Sequence, residues 1–171
     1  MVERDGAPVD ADVDLHVPAE RAELRPSPVP VLAAISAGGV CGTLARYGLS
    51  TAWPHPRGEF PWTTLLINVS GCLLIGVLMV IVTQVAPDRR LLRPFVGVGV
   101  LGGYTTFSTY VVDIHQTASA GAPWVALAYL AVTVVGALLA VWAGAAATGA
   151  VVSRWAGQVG ERASREAGAT P

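Results

Sequence analysis

Four stretches of this chain carry no charged side chain: residues 26–45, 60–87, 94–112 and 116–153. Each can supply the run of about 20 apolar residues that an α-helix needs to cross a bilayer. The pattern predicts four transmembrane helices, at roughly Val29–Trp53, Trp62–Ala86, Pro94–Thr117 and Ala122–Val152. The fourth is longer than one span requires, so a tilt or an interfacial turn is expected at its end. A soluble helical bundle would need a polar stripe along each helix. Runs this free of charge leave none, and the fold class expected is an all-α integral membrane protein.

The apolar pattern fails inside the third stretch, which reads Gly102-Gly103-Tyr104-Thr105-Thr106-Phe107-Ser108-Thr109-Tyr110. Paired glycines loosen a helix, and the hydroxyls after them are poor lipid-facing groups. Non-helical backbone at membrane depth survives only where protein or a water-filled cavity covers it. A break at Gly102-Gly103 in the third helix is therefore expected, lining a path or an ion site.

Composition agrees, with 53% hydrophobic and 13% charged residues, against about a quarter charged in soluble domains. The acidic, Ala- and Pro-rich stretch 1–28 is expected to be a disordered N-terminal tail. It lacks a basic start and short apolar core, so it should stay on the mature protein. Residues 154–171 read as a polar C-terminal tail, leaving 29–153 as the membrane domain. Nine arginines fall in the two tails and in the link between spans two and three (Arg89, Arg90, Arg93), against Arg57 alone on the other side. The positive-inside rule then puts both termini in the cytoplasm. Cys41 and Cys72 read as small packing residues. No phosphate loop, nucleophile elbow or metal-ligand cluster is present, which removes the footing for an enzyme. The lack of a basic aromatic surface argues against nucleic acid as a partner.

Within the spans, Gly38 and Gly42 form a small-xxx-small pair suited to close helix approach. Arg46 is a cation at helix depth, expected either to snorkel, to tether a neighbouring helix or to attract anions at a vestibule. Asn68 is the sole interior amide, able to bond across helices or to donate to a desolvated anion. Phe107 and Tyr110 fall on one side of a helix, where aromatic edges can solvate an anion. Asp113 and His115 read as interfacial groups. Tyr129 and Thr133 are one turn apart, and Gly136, Ala140 and Gly144 form a packing ridge.

These strings occur in order: Gly-Gly-x-x-Gly-x-x-x-Arg-Tyr in helix one and Asn-x-x-Gly in helix two. Gly-Gly-x-Thr-Thr-Phe-Ser-Thr-aromatic follows in helix three, and Tyr-x-x-x-Thr-x-x-Gly in helix four. Together they resemble the small bacterial fluoride channel family, Fluc or CrcB, over about residues 31–152. The resemblance implies a bacterial cell-membrane subunit that pairs antiparallel with a second one in a dual-topology dimer. It implies two fluoride pores and passive export that confers fluoride resistance. It also implies a structural sodium ion, Na+, on the dimer axis, held by main-chain carbonyls that match Gly102 and Thr105. The pore amide matches Asn68 and the flanking ring pair Phe107 and Tyr110. Ser108, Thr109, Tyr129 and Thr133 are the candidate polar track, with Arg46 near the vestibule. Tyr110 stands where the family usually has a second Phe. Thr63 and Leu73 stand where Gly and Phe are usual.

The arginine bias conflicts with a homodimer that inserts both ways, so a heterodimer with a related subunit of opposite bias is expected. Two other classes of function compete with the channel. One is a non-conducting membrane scaffold or partner-stabilising subunit, whose glycines and hydroxyls serve packing only. The other is a coupled transporter, ranked last because it wants a titratable group at mid-membrane.

Overall fold

The computed structural model describes residues 29–56 and 58–168, with residues 159–168 described by backbone alone. The expected N-terminal tail, 1–28, and Arg57 lie outside the described residues. Described residues are helical apart from short links, and no strand occurs among them. The helices are α1 (Val29–Ala52), α2 (Trp62–Val80), α3 (Gly102–Tyr104), α4 (Ser108–Ser119) and α5 (Pro123–Gly168). A π-helical turn, Ile81–Val85, extends α2, and a π-helical segment, Arg93–Leu101, leads into α3. Among the described residues, four spans are long and apolar enough to cross a membrane: Val29–Ala52, Trp62–Val85, Arg93–Ser119 and Pro123–Gln158. The chain is a multi-pass membrane protein, and the hydrophobic pattern locates each span to within a few residues, the end of the fourth excepted.

The fourth helix does not stop where its apolar run ends. It continues from Val152 through the polar tail to Gly168. Residues 154–168 hold no proline, and their Ala, Arg, Glu and Gln favour helix in water enough to offset three glycines. At 46 residues α5 is about 69 Å long, more than twice the hydrocarbon thickness of a bilayer.

Two close helix pairs build the bundle. The π-helical segment Arg93–Leu101 and α3 lie against α1, while α2 lies along α5. Small residues permit both. A Cβ on Gly38 would overlap the Phe95 carbonyl, and one on Gly42 the Val100 carbonyl. On the other pair, a Cβ on Gly76 would overlap the Val141 carbonyl and one on Gly144 the Leu73 carbonyl. Backbones this close gain packing that lipid-facing Leu cannot supply. Beyond Tyr104 the third span changes neighbours, and α4 packs on α5 instead.

The glycine pair is not where the backbone departs from helix. Gly102 is right-handed helical (φ −64°, ψ −37°), and the first extended residue is Thr105 (φ −79°, ψ 162°). Helix resumes at Ser108. The glycines are used for space rather than for conformation: a Cβ on Gly103 would meet the Gly39 carbonyl and the Thr43 backbone of α1. The departure from helix, at Thr105–Phe107, coincides with the hydroxyl-rich residues.

Candidate functional site

Side chains divert the hydrogen bonds that would keep the third span helical. The Thr106 N–H donates to Asn68 Oδ1 (2.9 Å), and Asn68 Nδ2 donates back to the Thr106 carbonyl (2.9 Å). The Thr109 N–H donates to Thr106 Oγ1 (3.1 Å), which also bonds the Thr109 hydroxyl (3.0 Å). Thr106 thus caps the start of α4 through its side chain. In a continuous helix the Thr106 and Thr109 amides would bond the carbonyls of Gly102 and Thr105. Both amides are committed elsewhere, so those two carbonyls lose their helical donors.

Gly102 and Thr105 are the pair expected to hold an alkali cation. Uncommitted carbonyl oxygens are hard ligands that replace the hydration of such an ion in other filters. No group of three or more His, Cys, Asp or Glu able to bind a metal occurs among the described residues. The oxygens at this break are main-chain carbonyls and the hydroxyls of Thr105, Thr106 and Ser108, a hard donor class compatible with an alkali cation. The neighbouring carbonyl, Gly103, is occupied instead: Arg46 Nε donates to it at 3.1 Å, and Thr43 Oγ1 at 3.5 Å. Arg46 is a tether between α1 and α3.

Asn68, Cys72, Thr105, Thr106, Phe107 and Thr133 line one groove of about 290 Å³, together with Tyr110. Asn68 uses one amide hydrogen on Thr106, which leaves the second without a protein partner among the described residues. Phe107 is 77% exposed, although it stands beside the most polar part of the span. Tyr110 is buried, with its ring 6.0 Å from that of Phe107 and 5.3 Å from that of Tyr129. Its hydroxyl, the group that distinguishes it from Phe, donates to the Leu130 carbonyl at 3.0 Å. Ser108 is exposed, and Thr109 is half-buried with its hydroxyl turned to Thr106.

Tyr129 and Thr133 on α5 are buried with their hydroxyls facing each other, too loosely placed for a well-formed hydrogen bond. Thr133 opens onto the groove. Tyr129 is not part of the lining; its hydroxyl lies by those of Thr64 and Thr133, within electrostatic reach of Asp113. Asp113 is not the interfacial group its sequence position suggests; it is 6% exposed. The α4 turn after Tyr110 aims it at α2, where Thr64 Oγ1 donates to Asp113 Oδ2 at 2.7 Å. His55 Nε2, from the loop between α1 and α2, lies 3.6 Å from Asp113 Oδ1. Two further features hold that loop down. The Thr63 hydroxyl donates to the Trp53 carbonyl, and the Phe60 ring meets Tyr129 edge-on at 5.4 Å.

The structure thus brings Asn68, Thr105, Phe107, Tyr110 and Thr133 together and sets Arg46 apart on the α1 side. Thr64 and His55 are the residues that sequence reasoning missed, and Asp113 lies deeper than the sequence suggests. A carboxylate within an otherwise neutral span is the signal that leads to all three, since it demands a donor nearby.

The family model described as CrcB-like protein, Camphor Resistance (CrcB), matches residues 33–145. Fluoride-specific ion channel FluC 2 of Streptomyces avermitilis is 51% identical over 121 residues, covering 71% of this chain and 77% of the relative. Fluoride-specific ion channel FluC 1 of Streptomyces coelicolor is 54% identical over 113 residues, 66% of this chain and 73% of the relative. Fluoride-specific ion channel FluC 2 of Nocardia farcinica is 53% identical over 135 residues, 79% and 93% of the two chains. With a family model covering the membrane domain and relatives this similar, the chain belongs to the Fluc/CrcB family.

Proposed function

We propose that this chain is a subunit of a fluoride-selective channel that lets cytoplasmic fluoride leave passively across the cell membrane. The observation that carries the reading is the groove at Asn68. An amide with one uncommitted N–H and the buried Thr133 hydroxyl, which has only the Tyr129 hydroxyl loosely beside it, meet an exposed aromatic ring there. Fluoride is small and tightly hydrated, so it enters low-dielectric surroundings only where donors replace its shell. The groove holds donors and aromatic edges with no carboxylate in its lining, which suits an anion and not a cation.

Sodium belongs to the same proposal. Held by the Gly102 and Thr105 carbonyls, it would supply a fixed positive charge beside the anion path and a joint between subunits. Gly102 and Phe107 are exposed on the separate subunit, which supports a dimer face at this level. Relatives numbered FluC 1, FluC 2 and FluC 3 in Streptomyces make a related subunit a natural partner. The test is fluoride efflux from liposomes holding the purified protein co-reconstituted with a related subunit of opposite arginine bias, with chloride as control. Voltage-driven fluoride flux without chloride flux is expected, and replacing sodium by a bulky organic cation throughout purification should weaken the dimer. Silence with and without a co-reconstituted related subunit would refute the channel.

A further inference from the structure

The α1–α2 loop brings an imidazole to a carboxylate that water scarcely reaches. His55 has a side chain 28% exposed, against 7% for that of Asp113 at 3.6 Å. Inward from Asp113 come the Tyr129 and Thr133 hydroxyls, beside each other but without a well-formed hydrogen bond, and then the groove at Asn68. An anion that follows these hydroxyls out of the groove meets the Asp113 charge at the end. In low-dielectric surroundings that charge opposes it.

Few groups can offset Asp113. Thr64 on α2 supplies a neutral hydroxyl, and Tyr129 on α5 a phenol, a group uncharged near neutrality. Tyr110, earlier on the same helix, is likewise uncharged. Among the described residues, His55 alone lies within ion-pair distance of this carboxylate. It is also the sole group of the set whose type changes charge between roughly pH 5 and 8.

We propose that His55 is a positioning residue for Asp113 that makes fluoride passage faster when its imidazole is protonated. The inference rests on the fluoride-channel reading. A protonated ring cancels the carboxylate charge and fixes its orientation toward the loop; a neutral ring leaves the charge facing the anion. Flux therefore rises when this mouth is acidic enough for the ring to take up a proton. With the termini in the cytoplasm the mouth faces outward, where acidity drives fluoride into the cell as the neutral acid.

The test is initial fluoride efflux from liposomes at pH 5.5 and at pH 8, at fixed voltage, with protein-free vesicles subtracted. Wild type should conduct several-fold faster at the lower pH. His55→Gln should be slow at both, His55→Arg fast at both, and Asp113→Asn should lose the pH step. Because His55 sits in a loop, its variants are expected to purify as wild type. Wild-type flux that is equal at the two values, or a step that survives in His55→Gln, overturns the inference and leaves the channel standing. No flux at any pH, from the chain alone or with a related subunit, overturns both.

Discussion

Asn68 serves both backbone groups of a single residue, accepting from the Thr106 N–H and donating to its carbonyl. Asn68→Ala leaves those groups unpartnered, at about 1–3 kcal/mol apiece. The variant should lose fluoride flux and also melt earlier, as read by tryptophan fluorescence of the detergent-solubilised protein. Phe107→Ala separates the two effects: the ring is 77% exposed on the subunit, so flux should fall with the subunit's own packing intact. Tyr110→Phe makes the opposite prediction. Its hydroxyl is spent on the Leu130 carbonyl, away from any anion. Restoring the ring usual in the family should therefore preserve flux and cost only about 1 kcal/mol. Unchanged melting of Asn68→Ala, or abolished flux in Tyr110→Phe, would contradict these assignments. Residue types at this site are legible in the sequence because polar groups are conspicuous in an apolar run. Their partners are not: the Asn68–Thr106 pairing spans 38 positions, and no local spacing encodes it. The depth of Asp113 is hidden for the same reason, its donor Thr64 lying on another helix.

At the scale of elements, helix–helix spacing is set by small residues rather than by large apolar ones. Gly42 admits the Val100 carbonyl of the π-helical segment, whereas a Cβ on Gly39, three residues earlier, would have nothing within 4 Å. Gly42→Ala should push α1 off the third span and destabilise by about 1–3 kcal/mol or more. Gly39→Ala should be neutral or slightly stabilising through helix propensity. Thermal unfolding of the two variants side by side measures the difference, and equal melting would show that the α1 contact is unimportant. The Gly38–Gly42 spacing and the Gly136, Ala140, Gly144 ridge both carry their contacts where the sequence pattern puts them. The position of the non-helical residues is the exception. Glycine pairs invite a break, but here two side-chain acceptors, Asn68 Oδ1 and Thr106 Oγ1, take the amides and move it to Thr105–Phe107.

For the whole molecule the unequal placement of arginine is the strongest constraint on assembly. Arg89, Arg90 and Arg93 lie exposed in the link between the second and third spans, within reach of the membrane ends where such residues fix topology. Arg154 stands just past the charge-free run of the fourth span, near that span's end on the same side, while Arg46, bonded to the Gly103 carbonyl, lies within a span and does not count toward the bias. A chain held in one orientation cannot form an antiparallel pair with its own copy, because the partner must enter the membrane the other way. The expected result is that the chain expressed alone inserts with its C-terminus in the cytoplasm and conducts poorly. Co-expression with a related subunit of opposite arginine bias should restore flux. Replacing Arg89, Arg90 and Arg93 by Ala should weaken the bias, so that C-terminal reporter fusions appear on both sides and the lone chain gains flux. The three substitutions leave α3, α4 and the Asn68 groove untouched, which ties any gain to topology. If the unmodified chain alone already shows both orientations and full flux, the bias does not control insertion and a homodimer suffices.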